Sequence, residues 1–374
     1  LAHLDPPPLI FSILGDLIAA GLNNNLLAYE LSPSVTLLED SLCKWFAKKI
    51  GFNDFSGGIA ASGGTLSNLN ALIAARNNAG LGSEPNSVLL VSEDAHSSFV
   101  KCIRVMGLDT RNLVRIKTDN QGRMDINDLR NSLDKCSIEN KKIFAIVATL
   151  GTTVRGAIDP IKEISEICKQ RNIWLHIDGS IGGIFAITSI PIEGLNNINQ
   201  ANSITINPQK IIGITKTSSL LLVSNMSTLE NTFNTGLPYI SSKENIINRG
   251  EIGIQGSRPA EVIKLWLGLR FLGLKGIENI LNSSIKRKDF FVKNISKNKF
   301  DIYSGPLHIV SFLPKKLKPK DSDAWTQTKV NELINNNFML SRPKFKGKYF
   351  LRVVMGNYNT KDSHIEELLR LLDA

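Results

Sequence analysis

The chain has 374 residues, 42% of them hydrophobic and 21% charged, and its 28 Gly and 14 Pro exclude collagen-like, low-complexity and disordered classes. Its one charge-free run long enough to span a bilayer, Phe55 to Ala75, carries serines, asparagines and four glycines, which excludes a lipid-facing helix and any membrane partner. The net charge of +10 is dispersed, and its densest run, Lys315, Lys316, Lys318 and Lys320, has no interleaved aromatics, so it reads as a solvated face with no nucleic-acid partner.

The first fifty residues read as an N-terminal arm that packs on the main domain. Within it, Thr36 to Ile50 is helical, with Leu38, Leu42, Trp45 and Phe46 on one stripe and Gly51 just past the end. Short β-branched runs follow at Val88–Val91, Leu113–Lys117, Ile143–Ala148, Ile173–Asp178, Ser203–Ile206 and Leu220–Ser224. Helical patterns separate them, one opening at Asp159-Pro160 as cap and first-turn proline, with Ile161, Ile164 and Ile167 on one face. This alternation predicts an α/β domain built on a mostly parallel sheet. After Pro259 a helical stretch runs from Ala260 to Asn294, with Gly268, Gly273 and Gly276 as expected breaks. Strands at Ile309–Leu313 and Tyr349–Val354 and helices near Trp325–Asn335 and from Asp362 complete a smaller α+β part. The expected division is 1–50 for the arm, 51–270 for a large domain and 271–374 for a small one.

Chemistry concentrates at predicted strand ends and helix starts, where open α/β sheets bind ligands. Ser62-Gly63-Gly64-Thr65 precedes a helix and can offer backbone N–H groups to an anion, although such wording also makes ordinary helix starts. His96 follows the Val88–Val91 strand and presents a flat, titratable ring, or merely a capping segment. Thr152-Thr153 follows the next such strand. Asp178 closes the apolar run Trp174-Leu175-His176-Ile177, where a carboxylate needs a cationic partner such as a protonated pyridine nitrogen, or else serves as a cap. Lys210 follows Ser203–Ile206 and stands before Ile211-Ile212, surroundings that favour a nucleophilic amine unless the chain snorkels to solvent. Cys43, Cys102, Cys136 and Cys168 are widely spaced, with no CxxC and no metal-spaced Cys/His pair. No disulfide framework and no metal site are therefore read, and a cytoplasmic location is expected. No signal peptide is read at the start, and because the chain begins at Leu1 rather than Met, further residues are expected upstream.

Taken together and in this order, these residues resemble the pyridoxal-phosphate-dependent group II amino-acid decarboxylases of fold type I. The resemblance runs from Asn23-Asn24-Asn25 and Leu31-Ser32-Pro33 to Leu351-Arg352, and is most specific at Ala148-Thr149-Leu150-Gly151-Thr152-Thr153 and Trp174-Leu175-His176-Ile177-Asp178. It implies the PLP-dependent transferase-like fold, pyridoxal 5′-phosphate as cofactor, and decarboxylation of an L-amino acid to its amine and carbon dioxide. Lys210 would hold the cofactor covalently and shuttle protons. Asp178 would keep the ring nitrogen protonated, and His96 would stack on the ring. Gly63, Gly64, Thr65 and Asn207 would hold the phosphate, and Thr153 would touch the ring substituents. Arg352 resembles the arginine that receives the substrate carboxylate, with an edge-strand surface arginine as the plain alternative. Gly256 and Ser257 resemble the segment that reaches the neighbouring subunit's phosphate, which implies a homodimer with a shared active site.

The chain departs from the family pattern at three places. Gln209 stands where a histidine usually precedes the cofactor lysine, and Ser180 puts a hydroxyl where a methyl packs under the ring. In the loop from Thr232 to Arg249, Asn248 stands near the place of the tyrosine that protonates the substrate α-carbon, so the loop's one tyrosine, Tyr239, is the expected donor. These departures keep two alternatives open: another PLP reaction on the same scaffold (aldehyde synthase, lyase or aminotransferase), or a non-catalytic PLP-binding protein.

Overall fold

The computed structural model describes residues 1–236 and 246–373. The chain opens with α1 (Ile10–Leu22) and α2 (Pro33–Lys49), the latter starting on a proline whose missing N–H has no helical partner to lose. Alternation then runs through β1 (Gly57–Ala61), α3 (Gly64–Asn78), β2 (Ser87–Ser92), α4 (Ser98–Val105), β3 (Leu113–Ile116) and α5 (Ile126–Ile138). It continues through β4 (Lys142–Thr149), α6 (Ile161–Arg171), β5 (Trp174–Gly179), β6 (Ser203–Ile206) and β7 (Ser219–Val223).

These seven strands form one sheet in the order β1-β7-β6-β5-β4-β2-β3, with β7 alone running against the rest. Every residue of β2, β5, β6 and β7 is buried, as helices covering both faces of a parallel sheet require. The fold is therefore the α/β architecture read from the sequence. The strand that periodicity missed is β1. A Cβ on Gly58 would lie 2.2 Å from the Leu221 carbonyl oxygen, so a residue with no β propensity is what the close pairing to β7 needs.

After α7 (Ser227–Phe233) comes α8 (Val262–Asn294), then β8 (Phe300–Ser304), β9 (Ile309–Pro314), α9 (Ser322–Asn335), β10 (Lys344–Phe345), β11 (Lys348–Tyr349), β12 (Leu351–Val354) and α10 (Asp362–Asp373). Strands β12, β9 and β8 make an antiparallel sheet over a second core that includes Phe291, Phe312, Leu351 and Leu368. Of the three glycines expected to break α8, only Gly273 does so, at φ 59° and ψ 173°. The expected boundary after residue 270 falls inside this helix, just before that kink.

Asp159 is not the cap of α6. Its carboxylate turns inward and accepts the Met124 and Thr149 backbone N–H groups, both at 2.7 Å, which ties the end of β4 to the turn before α5. Full burial raises this carboxyl to about 7, against the pull of those two donors.

Two ion pairs with buried arginines fasten the segment from residue 246 to 258. Arg258 meets Glu39 of α2 in a two-pronged bond at 2.7 and 2.5 Å, and Arg249 reaches Asp40 at 2.6 Å while donating to the Gly58 carbonyl. Glu39 is fully buried and the Arg258 side chain is 4% exposed, so removing one partner strands a charge away from water. Glu39→Ala is expected to cost about 3–5 kcal/mol, whereas the paired change Glu39→Leu with Arg258→Met should cost far less. Urea unfolding of both variants beside the parent chain reads this directly, and equal losses in the two would refute it.

Candidate active site

The carboxyl ends of the parallel strands open onto one cavity. It brings together Gly64, Thr65, His96, Thr153, Asp178, Ser180, Asn207 and Lys210, residues spread over 147 positions of sequence. Thr149, Asn68, Ile181 and Gln209 also line it. Gly63 caps α3 at φ 101° immediately outside this set. Ser257 is exposed and accepts the Asn25 amide at 3.1 Å, and Gln255, two residues earlier, bonds Ser62 at 3.2 Å.

One end of the cavity is built for an anion. The first N–H groups of a helix lack intrahelical partners, and in α3 these belong to Gly64 and Thr65. A Cβ on Gly64 would come 2.7 Å from the Asn207 amide nitrogen and 2.9 Å from the Ser180 hydroxyl, so glycine keeps this cradle open. Asn207 is fixed in turn, because its Oδ1 accepts the Ser219 hydroxyl at 2.6 Å, and Ser219 contacts Ser67 at 2.7 Å. The amide Nδ2 is thereby left facing Gly64. The hydroxyl of Ser180 thus belongs to the cradle wall beside Gly64.

At the other end lies Asp178, which is 5% exposed. Its Oδ1 accepts the Ser180 backbone N–H at 3.1 Å and its Oδ2 accepts the Asn68 amide at 3.2 Å. No cation is paired with it among the described residues. Between the two ends sit Lys210, on a short turn after β6, and His96. The His96 Nδ1 accepts the Ser98 N–H at 3.2 Å, which leaves the proton on Nε2. Desolvation lowers His96 below its ordinary range, Asp178 opposes this, and Lys210 and Lys101 add to it, so the ring is neutral at pH 7. Thr149 brings to the same wall a buried hydroxyl oxygen that has no partner among the described residues.

Gln209 does structural work that a hydrogen-bonding side chain of either kind can share. Its Oε1 accepts the Ser218 N–H at 2.7 Å, and its Nε2 donates to Asp5 of the arm at 3.3 Å. Arg352, on β12, lies outside the cavity lining but is tied to it. It donates to the Thr153 carbonyl at 2.6 Å, to Ser341 at 2.8 Å and to Ala2 at 3.4 Å, and no carboxylate neutralises it among the described residues. Asn248 is buried and engaged, accepting the Tyr29 N–H at 2.9 Å and donating to Glu251 at 3.3 Å, so it anchors the loop end. Tyr239 lies outside the described residues. Sequence reasoning passed over Asn68. The signal was a polar residue one helical turn after Gly64 in a charge-free run, on a helix buried nearly all round.

An anion cradle kept open by glycine, a buried carboxylate that lacks a cation and a lysine amine between them fit pyridoxal phosphate in its phosphate, its ring nitrogen and its aldehyde. Residues 7–312 match the family model described as the pyridoxal-dependent decarboxylase conserved domain. An aromatic-L-amino-acid decarboxylase of Bacillus atrophaeus is 28% identical over 100% of this chain and 79% of its own length. The acidic amino acid decarboxylase GADL1 of Xenopus tropicalis is 30% identical over 77% of this chain, but only 58% of that protein is covered. The crystal structure of mouse CSAD superposes with a TM-score of 0.91 at 25% identity, covering 100% of this chain and 82% of the mouse chain.

The cradle makes a direct expectation. Gly64→Ala must displace Asn207 from Ser219 or narrow the cradle, and pyridoxal phosphate should bind at least about tenfold more weakly, a loss of roughly 1.4 kcal/mol. Absorbance titration of the apoprotein with the cofactor measures it, and unaltered affinity would remove Gly64 from the phosphate site.

Proposed function

The chain belongs to the pyridoxal-dependent decarboxylases, which use pyridoxal 5′-phosphate to decarboxylate amino acids, and from that premise we propose that it converts an L-amino acid to the corresponding amine and carbon dioxide. The observation that carries this reading is Asp178: a carboxylate at the end of β5, buried, with one N–H on each oxygen and no cation paired among the described residues. When bound, the cofactor offers a carbonyl carbon to amines and a protonated ring that takes up the electron pair left by departing carbon dioxide.

Each residue then has a task of its own. Lys210 would hold the cofactor through its amine and, when not so engaged, would move protons at its Nζ. Asp178 keeps a proton on the ring nitrogen. His96, neutral and flat, would lie against the ring, and Thr153 would touch its substituents. Thr65, Ser180, Asn207 and the Gly63-Gly64 backbone hold the phosphate. Arg352 receives the substrate carboxylate, a role supported by its half-buried charge without a carboxylate partner. Tyr239 remains our choice for the acid that protonates the α-carbon. If that acid were absent, dioxygen and water would be consumed and aldehyde, ammonia and hydrogen peroxide would be released in place of amine, so the product ratio separates a decarboxylase from an aldehyde synthase. The division into arm, large domain and small domain at residues 50 and 270 is part of the same proposal.

We also propose a homodimer in the cytoplasm. Ile10, Ile13, Leu14, Leu17 and Ile18 of α1 fall at helical spacing and all face solvent, Leu17 at 68% exposure. The opposite face of α1 is small, and Gly15 and Ala19 let it lie close on α8. An apolar stripe turned outward on this scale calls for a partner surface, and a second copy also brings Ser257 to the neighbouring phosphate. Four buried, unpaired cysteines accord with a reducing compartment. Among the described residues, no helix is long and apolar enough to cross a membrane.

Carbon dioxide, amine, aldehyde and ammonia release from the twenty amino acids tests the reaction. Lys210→Ala should lose the pyridoxyl label fixed by borohydride, and a label mapped to any other lysine would overturn the assignment. Asp178→Asn should keep the label yet lose several orders of magnitude in turnover, about 4 kcal/mol or more of transition-state stabilisation. Retention of over about a tenth of the activity would give the role to another group. For the dimer, Leu14→Asp with Leu17→Asp should shift the protein from twice its chain mass to one chain mass in light scattering, and an unchanged mass would sink the interface.

A further inference from the structure

Behind Asp178 lies a line of buried polar groups that the reaction as described does not use. Trp174, His176 and Asp178 alternate along β5 and so project from the same face of the sheet. Ser203 stands opposite His176 in register on β6, and Asn68 reaches in from α3. The contacts are continuous. Trp174 Nε1 donates to Ser203 Oγ at 2.8 Å, Ser203 Oγ meets His176 Nδ1 at 2.8 Å, His176 Nε2 meets Asn68 Oδ1 at 3.1 Å, and Asn68 Nδ2 donates to Asp178 Oδ2 at 3.2 Å.

The chemistry of the two ends sets the direction of the whole line. An indole N–H can only donate, and a carboxylate can only accept. Asn68 must turn its nitrogen to Asp178, which leaves its oxygen to accept from His176 Nε2. With that proton on Nε2, Nδ1 is an acceptor and takes the Ser203 hydroxyl proton, while Ser203 accepts from the indole. Each intermediate group gives one proton forward and receives one from behind. Complete burial lowers His176 to about 4, so the ring carries a single proton and the direction is kept.

We infer that Trp174, Ser203, His176 and Asn68 form a one-way hydrogen-bond relay that positions the Asp178 carboxylate and keeps its charge facing the cofactor ring, making His176 and Asn68 positioning residues of this enzyme. The inference rests on the proposed cofactor chemistry and adds the device that sustains it. A buried carboxylate beside a pyridine nitrogen can take the shared proton itself and leave both groups neutral. A donor aimed at the carboxylate favours the anion, and the proton then stays on the ring. The charged or titratable groups about Asp178 are His96 after β2, Cys102 on α4, Lys210 after β6 and His176 on its own strand. The relay supplies the one side-chain hydrogen bond that Asp178 receives among the described residues.

The test uses the loaded full chain with pyridoxal phosphate carrying 15N in its ring. The 15N shift reports directly where the proton sits, independently of turnover. In the parent chain the ring nitrogen should be protonated through pH 6–9. In His176→Phe and in Ser203→Ala, which removes one oxygen from the core, the protonation midpoint should fall by about one pH unit or more, a tenfold change. Turnover should fall at least tenfold with KM nearly unchanged, and His176→Gln, whose amide can accept from Ser203 and donate to Asn68, should restore both. If Ser203→Ala does not fold, Trp174→Phe, which removes the leading N–H together with some ring volume, replaces it. Parent-like 15N profiles in the loaded variants would overturn the relay while leaving the decarboxylase reading intact. A parent chain that takes up no cofactor would overturn the decarboxylase reading, and the relay with it.

Discussion

A carboxylate that must stay charged inside a sheet is the constraint from which most of this site follows. Asp178 stands near the end of β5 in the middle of the seven-stranded sheet, between two buried strands and facing the cavity. A buried charge there survives only with donors on its oxygens and a cation opposite. Ser180 and Asn68 supply the donors. Among the described residues no cation is paired with this carboxylate, which lines the cavity instead. The same strand carries the residues that organise those donors, because the two-residue period of a β-strand puts Trp174 and His176 on the same face as Asp178.

Helix α3 joins the two ends of the site. Its first turn forms the anion cradle and its second turn carries Asn68, so one rigid element sets the distance between the cradle and the Asp178 carboxylate. Ser67, on that same helix, reaches Ser219 and through it Asn207, which fixes the far wall of the cradle. The cavity between cradle and carboxylate is thus walled by one helix and one sheet edge, and His96 and Lys210 line it.

Much of the architecture is legible in the sequence because its signals are local. The strands at Ser203–Ile206 and Trp174–Gly179 read as apolar runs of β length, and Asp178 and Lys210 stand at their ends. β1 was hidden because Gly58 serves the close pairing with β7 and Gly57 makes room for Met226 just past that strand, contacts between segments far apart in sequence. Asp159 resembles a helix cap in sequence, yet two distant backbone N–H groups, Met124 and Thr149, outcompete the local one. Asn68 gave no motif. Its role depends on His176 and Asp178 meeting it across the helix–sheet interface, which no spacing along one element encodes.

Arg352 shows how the parts of the chain are bound to the chemistry. Its guanidinium spans the Thr153 carbonyl in the cavity wall, Ser341 in the C-terminal part and the Ala2 carbonyl in the arm. All three partners are neutral, so the positive charge is oriented without being cancelled, and burial lowers its preference for the protonated form only from an extreme starting point. Gln209 makes a second link of this kind, from the turn carrying Lys210 to Asp5 of the arm. The arm therefore touches both the lysine turn and the arginine. Since α1 of that arm also carries the outward apolar stripe, any partner docked on the stripe bears on the same segment that steadies Lys210 and Arg352. The first twenty residues thus join the outward stripe to the cavity wall, through the Ala2 carbonyl on Arg352 and the Asp5 carboxylate on Gln209.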